Sequence, residues 1–166
     1  MSALAAVLAL VAAQRGAELV RAAINTRRLR ALGAYEIDAA GYWWIVLLHA
    51  GWLASLAFTV PLATPPSWTL LGIYAALQPV RLWVIVSLGQ RWTTRLIVLP
   101  GAPLVRSGPY RYFRHPNYAV VAGEIATLPL AFGATGIALF FSLGNLGLTG
   151  RRIRLEDQAL TSRRTG

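Results

Sequence analysis

Long apolar runs at about 2–13, 42–62, 68–88 and 118–149 divide this chain, and the polar segments between them alternate in charge. The segment 14–41 carries Arg15, Arg21, Arg27, Arg28 and Arg30. The segment 89–117 carries Arg91, Arg95, Arg106, Arg111 and Arg114, and the tail carries Arg151, Arg152, Arg154, Arg163 and Arg164. The 61–67 connection, Pro-Leu-Ala-Thr-Pro-Pro-Ser, has no charge, and neither has the start of the chain. A bilayer-spanning helix needs about 20 apolar residues. Tyr42–Leu62 and Trp68–Leu88 each reach that length. The 32 residues from Tyr118 to Thr149 are too many for one span, and Pro129, Gly133 and Gly136 interrupt them. That pattern predicts two helices joined as a tight hairpin.

Residues 2–32 predict one long helix, apolar at first and then amphipathic, with Leu19, Val20, Ala23, Ile24 and Leu29 on one face. Gly33 is its expected terminator. The count is then five spans, an all-α polytopic membrane protein with its last two helices as a hairpin. Fifteen of the sixteen arginines lie in segments that five spans place on one side. The positive-inside rule makes that side cytoplasmic, with the N-terminus outside and the C-terminus inside. An even number of spans would split the clusters. The expected location is a bacterial inner membrane.

Composition agrees: among 166 residues, 56% are hydrophobic and only 13% charged, too apolar for an ordinary soluble domain. The net charge of +10 follows from topology and from attraction to anionic lipid headgroups. Nucleic acid is not an expected partner, because the arginines flank apolar spans and are not interleaved with exposed stacking aromatics. The chain has no cysteine, which removes disulfides and thiol chemistry. Met1–Ala13 is apolar like a signal peptide, but it lacks a basic leader and runs on into helix-compatible sequence.

A few polar residues fall inside the apolar runs. Tyr42, Trp43 and Trp44 make an interfacial anchor at the start of the second span. His49 lies about two turns further in, where a lone histidine is more often a helix–helix hydrogen-bond donor than a ligand. Pro79 should kink the third span and free carbonyls that need partners. Arg81 and Glu124 fall at similar depths, each about two turns from a cytoplasmic end, and an Arg81–Glu124 ion pair is expected.

Segment 89–117 is the longest non-apolar stretch. It holds Gly89, Gly101, Gly108, Pro100, Pro103 and Pro109, yet Leu96–Leu99 and Leu104-Val105 are apolar. A flexible linker would not need them, and structured loops of this length are usually functional. The densest string is Gly108-Pro-Tyr-Arg-Tyr-Phe-Arg-His-Pro-Asn-Tyr118, with Pro116 suited to a first helical turn. A helix start offers free N–H groups and a positive dipole end for a carboxylate. The second element is Arg151-Arg-Ile-Arg-Leu-Glu156-Asp-Gln-Ala-Leu160, in which a helix puts Arg152 and Glu156 on one face. Arg151, Arg154, Asp157, Arg163 and Arg164 read as a solvated basic tail with local ion pairs.

Together, G-P-Y-R-x-x-R-H-P-x-Y and, about forty residues on, R-x-x-x-E-[DE]-x-x-L resemble the isoprenylcysteine carboxyl methyltransferase family over roughly 89–160. The wider group of small membrane methyltransferases, phospholipid methyltransferases included, is more loosely similar. The resemblance implies a single domain, 1–166, with three N-terminal spans in 1–88 and a cofactor-binding core with a cytoplasmic pocket in 89–166. It implies S-adenosylmethionine as methyl donor, contacted by Ala102, Pro103, Leu104, Val105, Tyr110, His115, Pro116, Asn117 and Tyr118. Glu156 would bind the cofactor's polar end, and Arg152 would hold an acidic group of the substrate.

The implied acceptor is an oxygen of a lipidic or prenylated substrate, carboxylate or phenol- or enol-like. The stretch Asn25–Glu36 with His49 is similar to a bacterial subgroup that methylates lipidic polyketides such as alkylpyrones. The chain ends soon after Leu160 and lacks the extra spans of larger relatives, which counts against a prenylated protein. Nitrogen methylation of phospholipid headgroups would want an acidic pocket where Arg152 stands. A non-catalytic scaffold would not bind the cofactor at all, and a transporter would show a repeated half.

Overall fold

The computed structural model describes residues 2–161; Arg163 and Arg164 lie outside them. Among the described residues there are five α-helices: α1 (Ala3–Ala31), α2 (Ala39–Thr59), α3 (Trp68–Leu88), α4 (Pro116–Ala131) and α5 (Thr135–Thr161). Short 3₁₀ turns at Gly89–Arg91 and Gly108–Arg111 lie in the long loop. Three segments, Ala3–Ala31, Ala39–Thr59 and Trp68–Arg91, are long and apolar enough to cross a membrane. At 16 residues α4 is shorter, and α5 begins apolar and ends in the Arg-rich stretch.

Several boundaries have a local cause. Ser2 Oγ accepts from Ala5 N at 3.2 Å and caps α1, while Gly33, with φ at 88°, turns the chain away at its end. Asp38 Oδ1 accepts from Gly41 N at 3.1 Å to start α2. The predicted hairpin break is real: α4 stops at Ala131, and Gly133 takes φ of 70° before α5 begins.

The helices alternate in direction. At one end Leu4, Leu56, Val60, Tyr74, Leu128 and Phe132 pack into the main core, and Ser67 N donates to Ala131 O at 2.7 Å. At the other end Asp38 receives both terminal nitrogens of Arg151, at 2.7 and 2.9 Å. There Asn25 also donates to Trp92 O at 2.7 Å. Large apolar side chains such as Phe58, Trp68, Leu139 and Phe140 point outward, the surface expected of helices solvated by lipid.

The Arg81–Glu124 pair forms at 2.9 Å but belongs to a larger cluster. Arg81 also donates to both oxygens of Glu18, each at 2.5 Å. Arg15 reaches Glu124 at 2.7 Å and Glu18 at 3.0 Å. Arg15, expected with the cytoplasmic arginines, is therefore inside the bundle with Arg81. Two arginines and two glutamates cancel, and the fork of each guanidinium matches two carboxylate oxygens. Gln78 links the cluster to the kinked part of α3: its Nε2 donates to Glu124 Oε1 and to Tyr74 O, both at 3.1 Å. Tyr74 O lies one residue before the carbonyl that Pro79 leaves without its usual donor.

One element was not foreseen. Tyr35–Glu36 (β1) pairs antiparallel with Ile97–Val98 (β2), with Tyr35 opposite Val98 and Glu36 opposite Ile97. Two residues per strand give no readable alternation. The ladder ties the α1–α2 connection to the long loop, and Arg95 reinforces it through Glu36 at 2.8 Å and the Tyr42 ring face at 3.9 Å.

Candidate active site

A cavity of about 610 Å³ opens where α4 and α5 meet the long loop. That is ample for a drug-sized ligand, for which pockets run roughly 300–1,000 Å³. Its α5 wall is a polar stripe: Asn145, Thr149, Arg152 and Glu156 all line it. Steps of four, three and four residues bring them to one face of the helix. From Asn145 to Glu156 the axis rises roughly 16 Å, eleven residues at about 1.5 Å each. The cavity is therefore deep, with Glu156 at the loop end.

At that end two distant parts of the sequence meet. His115 occupies the N-cap position of α4 with non-helical φ of −131°, so its ring leaves the helix axis. Tyr118, in the first turn, donates its hydroxyl to Glu156 Oε2 at 3.0 Å. The His115 ring stands between two acids, Nδ1 being 3.7 Å from Glu156 and Nε2 3.4 Å from Asp157. Tyr110 lies beside them; burial, and then the nearby Glu156 carboxylate, hold its phenol well above the usual tyrosine range. It is a protonated donor at neutral pH.

The long loop makes the opposite wall. Leu96–Leu99 and Ala102, Pro103, Leu104 and Val105 line the cavity with apolar surface. Asn25 holds the start of this loop through Gly89 O and Trp92 O. Gly108 sits at φ of 59°, and its Cα lies so close to Ser87 Oγ that a β-carbon would collide. This close approach fixes the turn that presents Tyr110. Arg152 Nη2 donates to Thr94 O at 3.0 Å, which closes the loop onto α5.

Nearly every sequence-predicted residue thus meets at one place: Ala102, Pro103, Leu104, Val105, Tyr110, His115, Asn117, Tyr118, Arg152 and Glu156 all line the cavity. Pro116 stands apart, buried at the first position of α4, where it sets the turn. Among the described residues, Asn117 Oδ1, Arg152 Nε and Asn145 Nδ2 are buried with no hydrogen-bond partner. Sequence reading passed over Asn145, Thr149 and Thr94. The first two were legible in principle, since they continue the Arg152–Glu156 stripe at helical spacing.

Residues 70–162 match the isoprenylcysteine carboxyl methyltransferase family model. A relative in Bacillus subtilis (strain 168), the uncharacterized protein YpbQ, is 40% identical over 158 residues, covering 92% of this chain and 94% of its own. No solved structure matches. The family match takes in both site elements and the two helices that carry them, and the chain belongs to the isoprenylcysteine carboxyl methyltransferase family, a family of membrane methyltransferases.

Proposed function

We propose that this protein transfers a methyl group from S-adenosylmethionine to an oxygen of a lipidic acceptor at the cytoplasmic surface of the membrane. The observation that carries the reading is the convergence of His115, Tyr118 and Glu156 at the mouth of one deep cavity. The residues present fit the cofactor. Glu156 and Asp157 line the cavity and offer carboxylates to its ammonium group or ribose hydroxyls. His115 and the arginines of the loop suit its carboxylate. Leu96–Leu99 and Leu104-Val105 suit the adenine face.

When bound, the cofactor supplies an already activated methyl group on a sulfonium sulfur. The protein's remaining task is to align the acceptor oxygen and exclude water. The apolar loop wall and buried Trp92 close the site from one side, and α5 closes it from the other. Arg152 lines the cavity, and its positive charge suits an electron-rich acceptor group. The acceptor tail enters from the bilayer between helices.

In this reading the whole chain is one domain of five spans: residues 1–88 supply three and 89–166 form the cofactor core. The N-terminus lies outside, the C-terminus is cytoplasmic, and a bacterial inner membrane is the expected setting.

Isothermal titration in detergent with S-adenosylhomocysteine tests the site. Losing a hydrogen bond to a charged group costs about 1.5–3 kcal/mol, so Glu156→Ala should weaken binding about 10- to 100-fold. His115→Ala should weaken it in the same direction. Unchanged affinity in both variants, with thermal unfolding intact, overturns the assignment.

A further inference from the structure

A second, smaller cavity of about 280 Å³ lies between α1, the start of α2 and the long loop. Its α1 wall is Leu19, Ala22, Ala23, Thr26, Arg27 and Arg30. Steps of three and four residues put all six on one stripe of the helix. That stripe is polarised along its length. Three apolar residues come first, then a hydroxyl and two guanidinium groups, spread over roughly 16 Å at about 1.5 Å per residue. Leu19 is half exposed and Ala23 exposed, so the apolar end is open to the bilayer. Tyr42 lines the cavity, and the exposed Trp43 and Trp44 beside it mark the headgroup level.

The basic end carries more positive charge than its neighbours cancel. Arg95 of the loop joins Arg27 and Arg30 there, and among the described residues no acidic side chain lines the cavity. Arg30 and Arg95 share one carboxylate just outside it, Glu36, at 2.6 and 2.8 Å. Among the described residues Arg27 makes no ion pair, so two positive charges stay uncompensated. Stacking on Tyr42 at 3.9 Å holds Arg95 in place. A guanidinium has five N–H donors in a planar fork, so donors remain for a phosphate after Glu36 is bound.

We propose that this cavity binds one anionic phospholipid, its phosphate among Arg27, Arg30 and Arg95 and an acyl chain along Leu19, Ala22 and Ala23. The general attraction of a basic protein to an anionic leaflet is spread over every exposed arginine. Here guanidinium groups, aromatic marker and apolar stripe follow the order in which a phospholipid presents headgroup and tail. A soluble phosphate would use the basic end alone and leave the apolar stripe bare. The volume, just under the roughly 300–1,000 Å³ of pockets for drug-sized ligands, suits a headgroup with its tail outside. Thr94 and Arg95 also line the larger cavity, so the lipid packs behind the wall of that cavity.

Native mass spectrometry of the purified protein in detergent tests the site, with phosphatidylglycerol and phosphatidylcholine of matched acyl chains supplied in equal amounts. An arginine near anionic lipid is worth about five-fold in affinity, so two uncompensated ones should give the wild type about a 25-fold preference for one phosphatidylglycerol. Arg27→Gln combined with Arg30→Gln should abolish that preference. Arg21→Gln combined with Arg28→Gln removes the same charge from the same helix outside the cavity, and should leave most of it. Ala23→Trp fills the apolar stripe without changing charge and should also release the lipid, which keeps the test decisive if the Arg27 and Arg30 pair fails to fold. Excess glycerol phosphate should not displace the lipid. Equal retention of both lipids by the wild type overturns the proposal, as does unaltered retention in Ala23→Trp. Equal loss in the two arginine pairs would show bulk charge at work, and displacement by glycerol phosphate a soluble-phosphate site; either result also overturns it.

Discussion

Four charges meet between helices in Arg15, Glu18, Arg81 and Glu124, and each depends on the others. Removing one side of a buried ion pair leaves an uncompensated charge, at a cost of about 3–5 kcal/mol. Arg81→Met should lower thermal stability in detergent by about that amount. Adding Glu18→Leu should recover much of it, because the remaining Arg15 and Glu124 still balance at 2.7 Å. Equal melting of wild type and Arg81→Met would show that the cluster is solvated and not a lock. The Arg81–Glu124 half was legible from matching depths in two apolar runs. Arg15 and Glu18 were not, because an amphipathic pattern assigns such residues to a solvated face until a neighbouring helix covers them. At the cavity mouth, Tyr110 stays protonated above the ordinary tyrosine range, near pH 10. Its ionisation should therefore leave S-adenosylhomocysteine affinity flat from pH 7 to about pH 10, as titrations at several pH values would show.

Helices supply reach, and the loop between α3 and α4 supplies shape. The stripe Asn145, Thr149, Arg152 and Glu156 could be drawn from sequence, because a continuous helix fixes what shares a face. The loop wall could be identified by its apolar residues but not placed. Its anchors are Asn25 on Trp92 O, Arg152 on Thr94 O, and the two-residue ladder between β1 and β2. Each joins residues far apart in the chain with no periodic trace. Gly108 is the most sensitive hinge of that wall, with φ of 59° and no space beside Ser87 Oγ. Gly108→Ala should strain the turn by about 1 kcal/mol or more and displace Tyr110. We expect weaker S-adenosylhomocysteine binding alongside modest thermal destabilisation, and Ser87→Gly in the same chain should restore part of the binding.

Across the whole molecule, orientation is the quantity most open to direct measurement. The natural chain has no cysteine, so single cysteines report their side without background. Thr64→Cys, in the uncharged connection, should react with an impermeant maleimide in intact cells. Arg106→Cys and Arg154→Cys should react only in inverted vesicles. Labelling of all three from one side would sink the five-span reading. The sequence alone determined the membrane class and the helix boundaries at Gly33 and Gly133, and two of its motifs carried the resemblance to a methyltransferase family. The first two are local properties: apolar length and the backbone freedom of glycine. Only the tertiary structure decided that His115 stands 3.7 Å from Glu156 and that Arg15 turns inward. Such contacts depend on how one helix is rotated and shifted against the next, which side-chain packing sets and no single segment encodes.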